Sequence, residues 1–445
     1  MMIDLPSFDQ RIAETQASVA HALERLDQLT DEERVDFASD PFGSRRDVAG
    51  QTAFRALQEL VPSMVDVPQR DGLLRWVHEL LQARIAWDLV IDEAAARHFQ
   101  DPSLPKNAAG IPRTFEEARG SLLHATHPVA IDNALARLDV LAVPVFAVRA
   151  EMRARRKEIA TRLGLANPWS LATGDTSITA LATRVLDATE PLAIELHRLA
   201  KRSEEPGSLV AKTFAAAFAH DAQEGWPAYL TPRWLEESFQ TLAPRQPRNV
   251  EMPEALGGAS FLRAAMNWGR ALRLASTPRS LPFGLARDPY PIEAWTHGTL
   301  FTIAVAGPIF GKRRLGLSAK KADKQARTLA PALFLGLRRL AAEVLGLGEE
   351  LSARVYGAPL PPMLAALGSL SGAKRIDAPA RLLGMLRGDR LARSFVQRFD
   401  EDWFDNPRAG SYLAAVASGP VWTPMADDED SGVDVLARAF EERLG

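Results

Sequence analysis

Apolar residues along most of this chain recur at three- and four-residue steps. Leu73, Trp76, Val77, Leu80, Leu81, Ile85 and Leu89 form one such stripe, the face that an amphipathic helix turns toward a core. Helix starts are marked in the same register. Ser7 with Gln10, Thr30 with Glu33, and Thr114 with Glu117 each pair a hydroxyl that accepts a backbone N–H with an acid or amide that answers back. Thr231-Pro232 places a cap before a proline at the first helical position, where the missing N–H costs nothing. Alternating Val/Ile/Thr runs are nearly absent. The one strand-like stretch, 141–148 (LAVPVFAV), runs directly into EMRARRKEIATRLG and contains Pro144, so it reads as helix with a proline kink. The pattern predicts an all-α protein.

Thirty prolines and 29 glycines punctuate the chain between helices and form no long linker. No fixed-period repeat occurs, which argues against a helical solenoid. Soft boundaries at 101–112 and 240–253 suggest an N-terminal helical region, 1–105, followed by a larger helical domain, 106–445; one continuous body is the alternative. The acidic run Asp427, Asp428, Glu429 and Asp430 reads as a solvated loop before a last helix.

Composition narrows the chemistry. With 445 residues, 47% of them hydrophobic and 24% charged, the chain can bury a sizeable core, which excludes a disordered or collagen-like protein. Its net charge of -3 gives no overall attraction to nucleic acid or anionic membrane, and neither is expected as a partner. The absence of cysteine excludes disulfides, thiolate metal sites and thiol nucleophiles, so any metal must be held by His, Asp or Glu. Neither a basic, apolar leader nor a run of about 18 apolar residues is present, and a cytoplasmic location is the expectation.

Of the eight histidines, only His124 and His127 lie close together. That spacing suits one helical face, with Glu116, Glu117 and Asp132 as the nearest carboxylates, but Pro128 disfavours helical geometry at His127. A helix end with polar rings near the terminal carbonyls is the plainer reading. The common zinc-peptidase helix motif, phosphate-binding glycine loop, nucleophile elbow and dinucleotide fingerprint are all missing. Basic runs at 149–162 and at Lys312, Arg313, Arg314, Lys320, Lys321, Lys324 and Arg327 lack interleaved aromatic residues and read as charged outer helix faces. The nine tryptophans read mainly as core, with Trp268 and Trp295 as candidates for lining a groove.

At 266–273 the sequence MNWGRALR resembles the zinc-binding helix of the thimet oligopeptidase and oligoendopeptidase F metallopeptidases, which typically reads His-Glu-Phe-Gly-His-Ala-Leu-His. Gly269, Ala271 and Leu272 match, and Trp268 stands where Phe is usual. IEAWTH at 292–297 is similar to that family's Val-Glu-Ala-Pro-Ser-Gln, in which Glu is the third zinc ligand; Glu293 and Ala294 match. Arg270 and Glu293 are separated by 23 positions, close to the usual interval. RRKEIATRLG at 155–164, with Asn167-Pro168-Trp169, is also similar to a helix and turn preceding the family's catalytic half. The resemblance covers 151–310 and implies a two-lobed helical architecture with a central groove.

The departures matter as much as the matches. In the family, two histidines one turn apart bind zinc and the adjacent Glu takes a proton from the metal-bound water. Those three positions are Met266, Asn267 and Arg270 here: a weak soft ligand, a residue that is no base near neutral pH, and a permanent cation. The resemblance therefore implies a noncatalytic, peptidase-like protein without a resident metal or other cofactor, binding a peptide or protein segment through Trp268, Arg270, Glu293, Trp295 and His297, or serving as a scaffold. An Arg270–Glu293 ion pair is expected to replace the metal cross-link. The alternative is a hydrolase with a metal site other than the family's own, built on Glu293 and His297 or on His124 and His127. The family's Tyr and His oxyanion donors have no convincing counterpart, since no histidine follows His297 and Tyr356 and Tyr412 lie outside matching motifs.

Overall fold

The computed structural model describes residues 4–29, 33–34, 40–60, 66–99, 112–115, 117–118, 121, 128–173, 178–203, 231–239, 242, 250, 258–278, 280–346, 349–357, 377–420 and 429–444. Every regular element among them is an α- or 3₁₀-helix, so the all-α expectation holds. The chain forms two compact units, both discontinuous in sequence: 1–176 with 280–290 and 361–377, and 177–279 with 291–360 and 378–445.

The first unit contains α1 (Leu5–Gln28), α2 (Gln51–Gln58), α3 (Val67–Asp88), α4 (Val90–His98) and α5 (Pro128–Arg162). The cap of α1 lies three residues before the Ser7 signal. Asp4 is the cap, its carboxylate accepting the Ser7 N–H at 3.2 Å, and Pro6 occupies the first turn. Asp66 caps α3 the same way through Gln69. The Thr114–Glu117 box forms as read: the Glu117 N–H donates to Thr114 Oγ1 at 3.2 Å and the Thr114 N–H to Glu117 Oε2 at 3.4 Å. Thr30 and most of 101–112 lie outside the described residues. α5 runs through Pro144 as one helix, so 141–148 is helical.

The stripe from Leu73 to Leu89 is buried, and much of it packs with Phe8, Ile12, Phe42, Phe54 and Leu57. The polar side of α3 is buried too, at Arg75, His78 and Gln82. Residues 280–290 cover it. They approach closely because Gly72 has no side chain; a Cβ there would stand 2.2 Å from the Gly284 carbonyl oxygen. Asp9 then accepts the Phe283 and Gly284 N–H groups at 2.8 and 2.7 Å, capping the short helical turn Phe283–Ala286.

The second unit contains α6 (Ile178–Ser203), α7 (Pro232–Phe239), α8 (Gly258–Ala275), α9 (Ile292–Ala306), α10 (Pro308–Arg313), α11 (Ala319–Leu345), α12 (Glu349–Tyr356), α13 (Ala378–Phe399), α14 (Pro407–Ala417) and α15 (Glu429–Leu444). α7 starts at Thr231-Pro232 as predicted, with Thr231 Oγ1 accepting the Trp234 N–H at 3.1 Å. α9 packs between α8 and α13 and is the most apolar of the three, with Ala294, Leu300, Phe301 and Val305 buried. Arg338 of α11, fully buried, donates to the carbonyls of Leu186 and Val355 at 2.9 Å and to those of Arg354 and the Thr189 hydroxyl. It thereby satisfies backbone acceptors at the end of α12. Lys320, Lys321, Lys324 and Arg327 are exposed on α11, while Lys312, Arg313 and Arg314 pair with Asp323, Asp402 and Asp405, which agrees with a charged outer face. No helix among the described residues is long and apolar enough to cross a membrane.

Candidate functional site

The positions singled out by the sequence motifs converge where α8 crosses α9. Backbones touch at this crossing because both helices carry glycine there. A Cβ on Gly269 would lie 2.5 Å from the His297 carbonyl oxygen, and one on Gly298 would lie 2.4 Å from Met266 Sδ and 2.9 Å from Arg270 Cγ. Met266 and Arg270, one turn apart on α8, therefore flank Gly298. α13 approaches the other side of α9 through Gly384 and Gly388, where a Cβ would meet Trp295 Cβ at 2.3 Å and Thr299 Cβ at 2.4 Å.

The charged groups are arranged around Trp295, which is partly exposed. The Arg270 guanidinium carbon lies 3.7 Å from the centre of its ring, and Arg381 of α13 lies 5.1 Å from it. Both distances suit cation–π attraction. Arg270 also makes a long 3.5 Å contact to Asn267 Oδ1. Glu293, in the first turn of α9, accepts from Arg387 Nη1 of α13 at 3.2 Å. Arg387, an arginine 94 residues downstream of Glu293, meets the carboxylate, and Arg270 lies over the indole.

His297 is buried. Its Nδ1 donates to the Glu293 carbonyl at 2.8 Å, which leaves the lone pair on Nε2; that atom has no hydrogen-bond partner among the described residues. Burial lowers the pKa to about 4, and the nearby positive charge of Arg273 pushes in the same direction. The ring is therefore neutral at physiological pH. Arg273, also buried, spends its donors on the Gly419 and Pro420 carbonyls at 2.7 and 2.6 Å and on Thr277 Oγ1 at 3.3 Å.

Trp268 departs from the expected groove. It is fully buried, with ring centroids 5.1 Å from Phe239 and 4.8 Å from Phe301, because its side of α8 faces the aromatic core of the unit. Met266, Asn267, Arg270, Glu293 and Trp295 are only partly buried. His124, His127 and Glu116 lie outside the described residues, so no geometry is assigned to that pair.

Zinc, the metal bound at the corresponding motif of the family these segments resemble, does not suit this donor set. The thioether of Met266 is a weak ligand for it, Arg270 puts a permanent cation at the second ligand position, and Glu293 already answers Arg387. Among the described residues no three His, Asp or Glu side chains are placed to share a metal ion.

Sequence reading missed a second polar cluster, inside the first unit. Arg75 Nη2 and Asp288 Oδ2 form a buried ion pair at 2.9 Å. In the tautomer that satisfies both neighbours, His78 accepts from Gln82 Nε2 at 3.3 Å and donates through Nδ1 to the Tyr290 hydroxyl oxygen at 2.6 Å. Burial, reinforced by Arg156, lowers His78 to about 3; burial raises Asp288 to about 6 against the pull of Arg75, and raises Tyr290 well above its ordinary value. The signal available beforehand was the helical spacing of Arg75, His78 and Gln82 on a helix whose other side is apolar.

No protein-family model and no curated protein matches the chain. Among solved structures, the crystal structure of oligoendopeptidase-F from Enterococcus faecium is similar over 99% of this chain and 98% of that one, at 10% sequence identity and a TM-score of 0.44.

Proposed function

We propose that this is a noncatalytic, peptidase-like protein whose α8–α9–α13 face holds a peptide or protein segment. One observation carries the reading: the positions that correspond to metal ligands in the motif resemblance hold Met266, Arg270 and an acid engaged by Arg387, with a guanidinium stacked 3.7 Å over Trp295. Such a set favours ligand binding over hydrolysis, because it offers aromatic and charged contacts but no base beside a metal-bound water. Partial exposure of Trp295 and Arg270 gives a ligand access to both.

The test pairs elemental analysis of the full chain, prepared without chelator and dialysed against trace zinc, with peptide binding followed by fluorescence anisotropy. The expected result is far less than one metal per chain and saturable peptide binding that a chelator leaves unchanged. About one metal per chain, lost in Glu293→Ala or His297→Ala together with a chelator-sensitive peptidase activity, would replace this reading with a hydrolase using a metal site other than the family's own.

A further inference from the structure

We propose that α5 carries a second apolar seam, on the side away from the core of its unit, and that a second copy of this chain packs along it in antiparallel fashion to form a dimer. This surface belongs to the first unit and does not depend on the peptide-binding reading. α5 is apolar on two opposite sides. One of them, with Leu138, Leu141, Val145 and Met152, is buried. The other runs through Asn133, Ala136, Val140, Val143, Ala147 and Ala150 at alternating steps of three and four, and all six are exposed. The exposed positions Val129 and Ala154 continue the same steps at either end. Val140 and Val143 stand 47% and 61% exposed. A three-and-four repeat sustained over more than three heptads is the face by which one helix packs lengthwise against another.

The seam identifies its own occupant. About its midpoint, between Val140 and Val143, the residues Ala136, Val140, Val143 and Ala147 read the same in both directions. A two-fold axis at that point sets Val140 against the partner's Val143 and Ala136 against the partner's Ala147, so branched side chains meet branched ones and small meet small. Charge selects the same direction. By sequence, 128–140 hold two acids and one arginine, while 149–162 hold six basic residues and two acids. Both of those acids, Glu151 and Glu158, are engaged by Arg155 and Arg162, and Arg153 and Lys157 add further positive charge to the surface. Parallel packing would place two basic halves side by side; antiparallel packing sets each against the more acidic half of the other copy. From Val129 to Ala154 the seam is ~37 Å long, and a strip of that length on a helix about 10 Å across buries roughly 500 Å² per copy, the lower limit for a specific interface. A dissociation constant on the order of micromolar fits a contact of that size.

The experiment follows the mass of the full chain by sedimentation equilibrium from about 1 to about 100 µM, where the population is expected to pass from monomer to dimer. Val140→Glu and Val143→Glu should each weaken the dimer at least about tenfold, because a charge would have to enter the seam. Both positions are exposed in the single chain, so the thermal midpoint at the lowest concentration should stay unchanged. Direction is read by cross-linking. The chain has no cysteine, so Val140→Cys and Val143→Cys each carry one thiol. Under mild oxidation an equal mixture of the two, one bearing a mass tag, should form the unlike pair about tenfold faster than either variant pairs with itself. A monomer at every concentration overturns the proposal. So does a dimer that both glutamate variants leave intact, which places the contact elsewhere. Self-pairing as fast as unlike pairing, or faster, overturns the antiparallel arrangement.

Discussion

Glu293 and Arg387 are mostly buried, and breaking a hydrogen-bonded charge pair in such a place strands whichever charge is left. Arg387→Ala is expected to lower stability by about 1–3 kcal/mol in urea unfolding, with much of the loss recovered when Glu293→Gln is added. A double-variant loss equal to the sum of the two single-variant losses would show that the pair is not coupled. Acid should act through the two buried histidines. Their folded pKa values, about 3 for His78 and about 4 for His297, lie below the unfolded 6.5, so the unfolded chain binds more protons as pH falls below 6.5. Between pH 7 and 5 each withdraws about 2 kcal/mol. Asp288, raised by burial to about 6, works in the opposite sense and returns about 1 kcal/mol over the same interval. A falling thermal midpoint from pH 7 to 5, blunted in His297→Gln, is the expected record; a flat profile would contradict the assignment of neutral buried rings.

Helix packing around α9 depends on close backbone approach. Gly298→Ala and Gly269→Ala each force a methyl group into backbone or side-chain atoms less than 3 Å away and should cost about 2–4 kcal/mol. Gly336→Ala, within α11 and with nothing within 4 Å, should instead add about 0.5–1 kcal/mol through helix propensity. Denaturant melts of the three variants check both signs. The contrast also explains what was legible beforehand. The Leu73 stripe, the Thr231 cap, the Thr114–Glu117 box and the helical character of 141–148 follow from local periodicity and capping, and they were readable. α1 begins three residues earlier than a cap at Ser7 predicts, because Asp4 takes the cap. At the candidate site, Met266, Arg270 and Glu293 come from the motif resemblance, and Gly269, matched as part of the same motif, proves to be the point where α8 meets α9. Arg381 and Arg387 were not found, since they arrive on a helix with no local link to the motif. Trp268 was assigned to the groove because sequence alone does not tell which side of α8 faces Phe239 and Phe301.

At the scale of the whole molecule, charge is nearly balanced, at -3 over 445 residues, and several basic groups on α10 and beside it are matched by acids. The full chain is accordingly expected to elute from a DNA matrix below about 0.1 M salt; retention falling steeply with salt over a higher range would reveal a phosphate-tracking surface instead. The chain divides into two discontinuous units, and one boundary between them falls in the proline- and glycine-bearing stretch 357–372.

That discontinuity has a consequence for how the protein is made. Arg75 and His78 leave the ribosome 213 and 212 residues ahead of Asp288 and Tyr290, the partners that satisfy them. At ordinary synthesis rates the interval is roughly 10–40 s. Throughout it, the nascent first unit has a polar side of α3 with no 280–290 segment to cover it, so its native core cannot close until a large part of the second unit has been translated. A stalled or truncated chain ending before Asp288 would therefore present an unfinished first unit to chaperones and proteases, however complete its own N-terminal sequence.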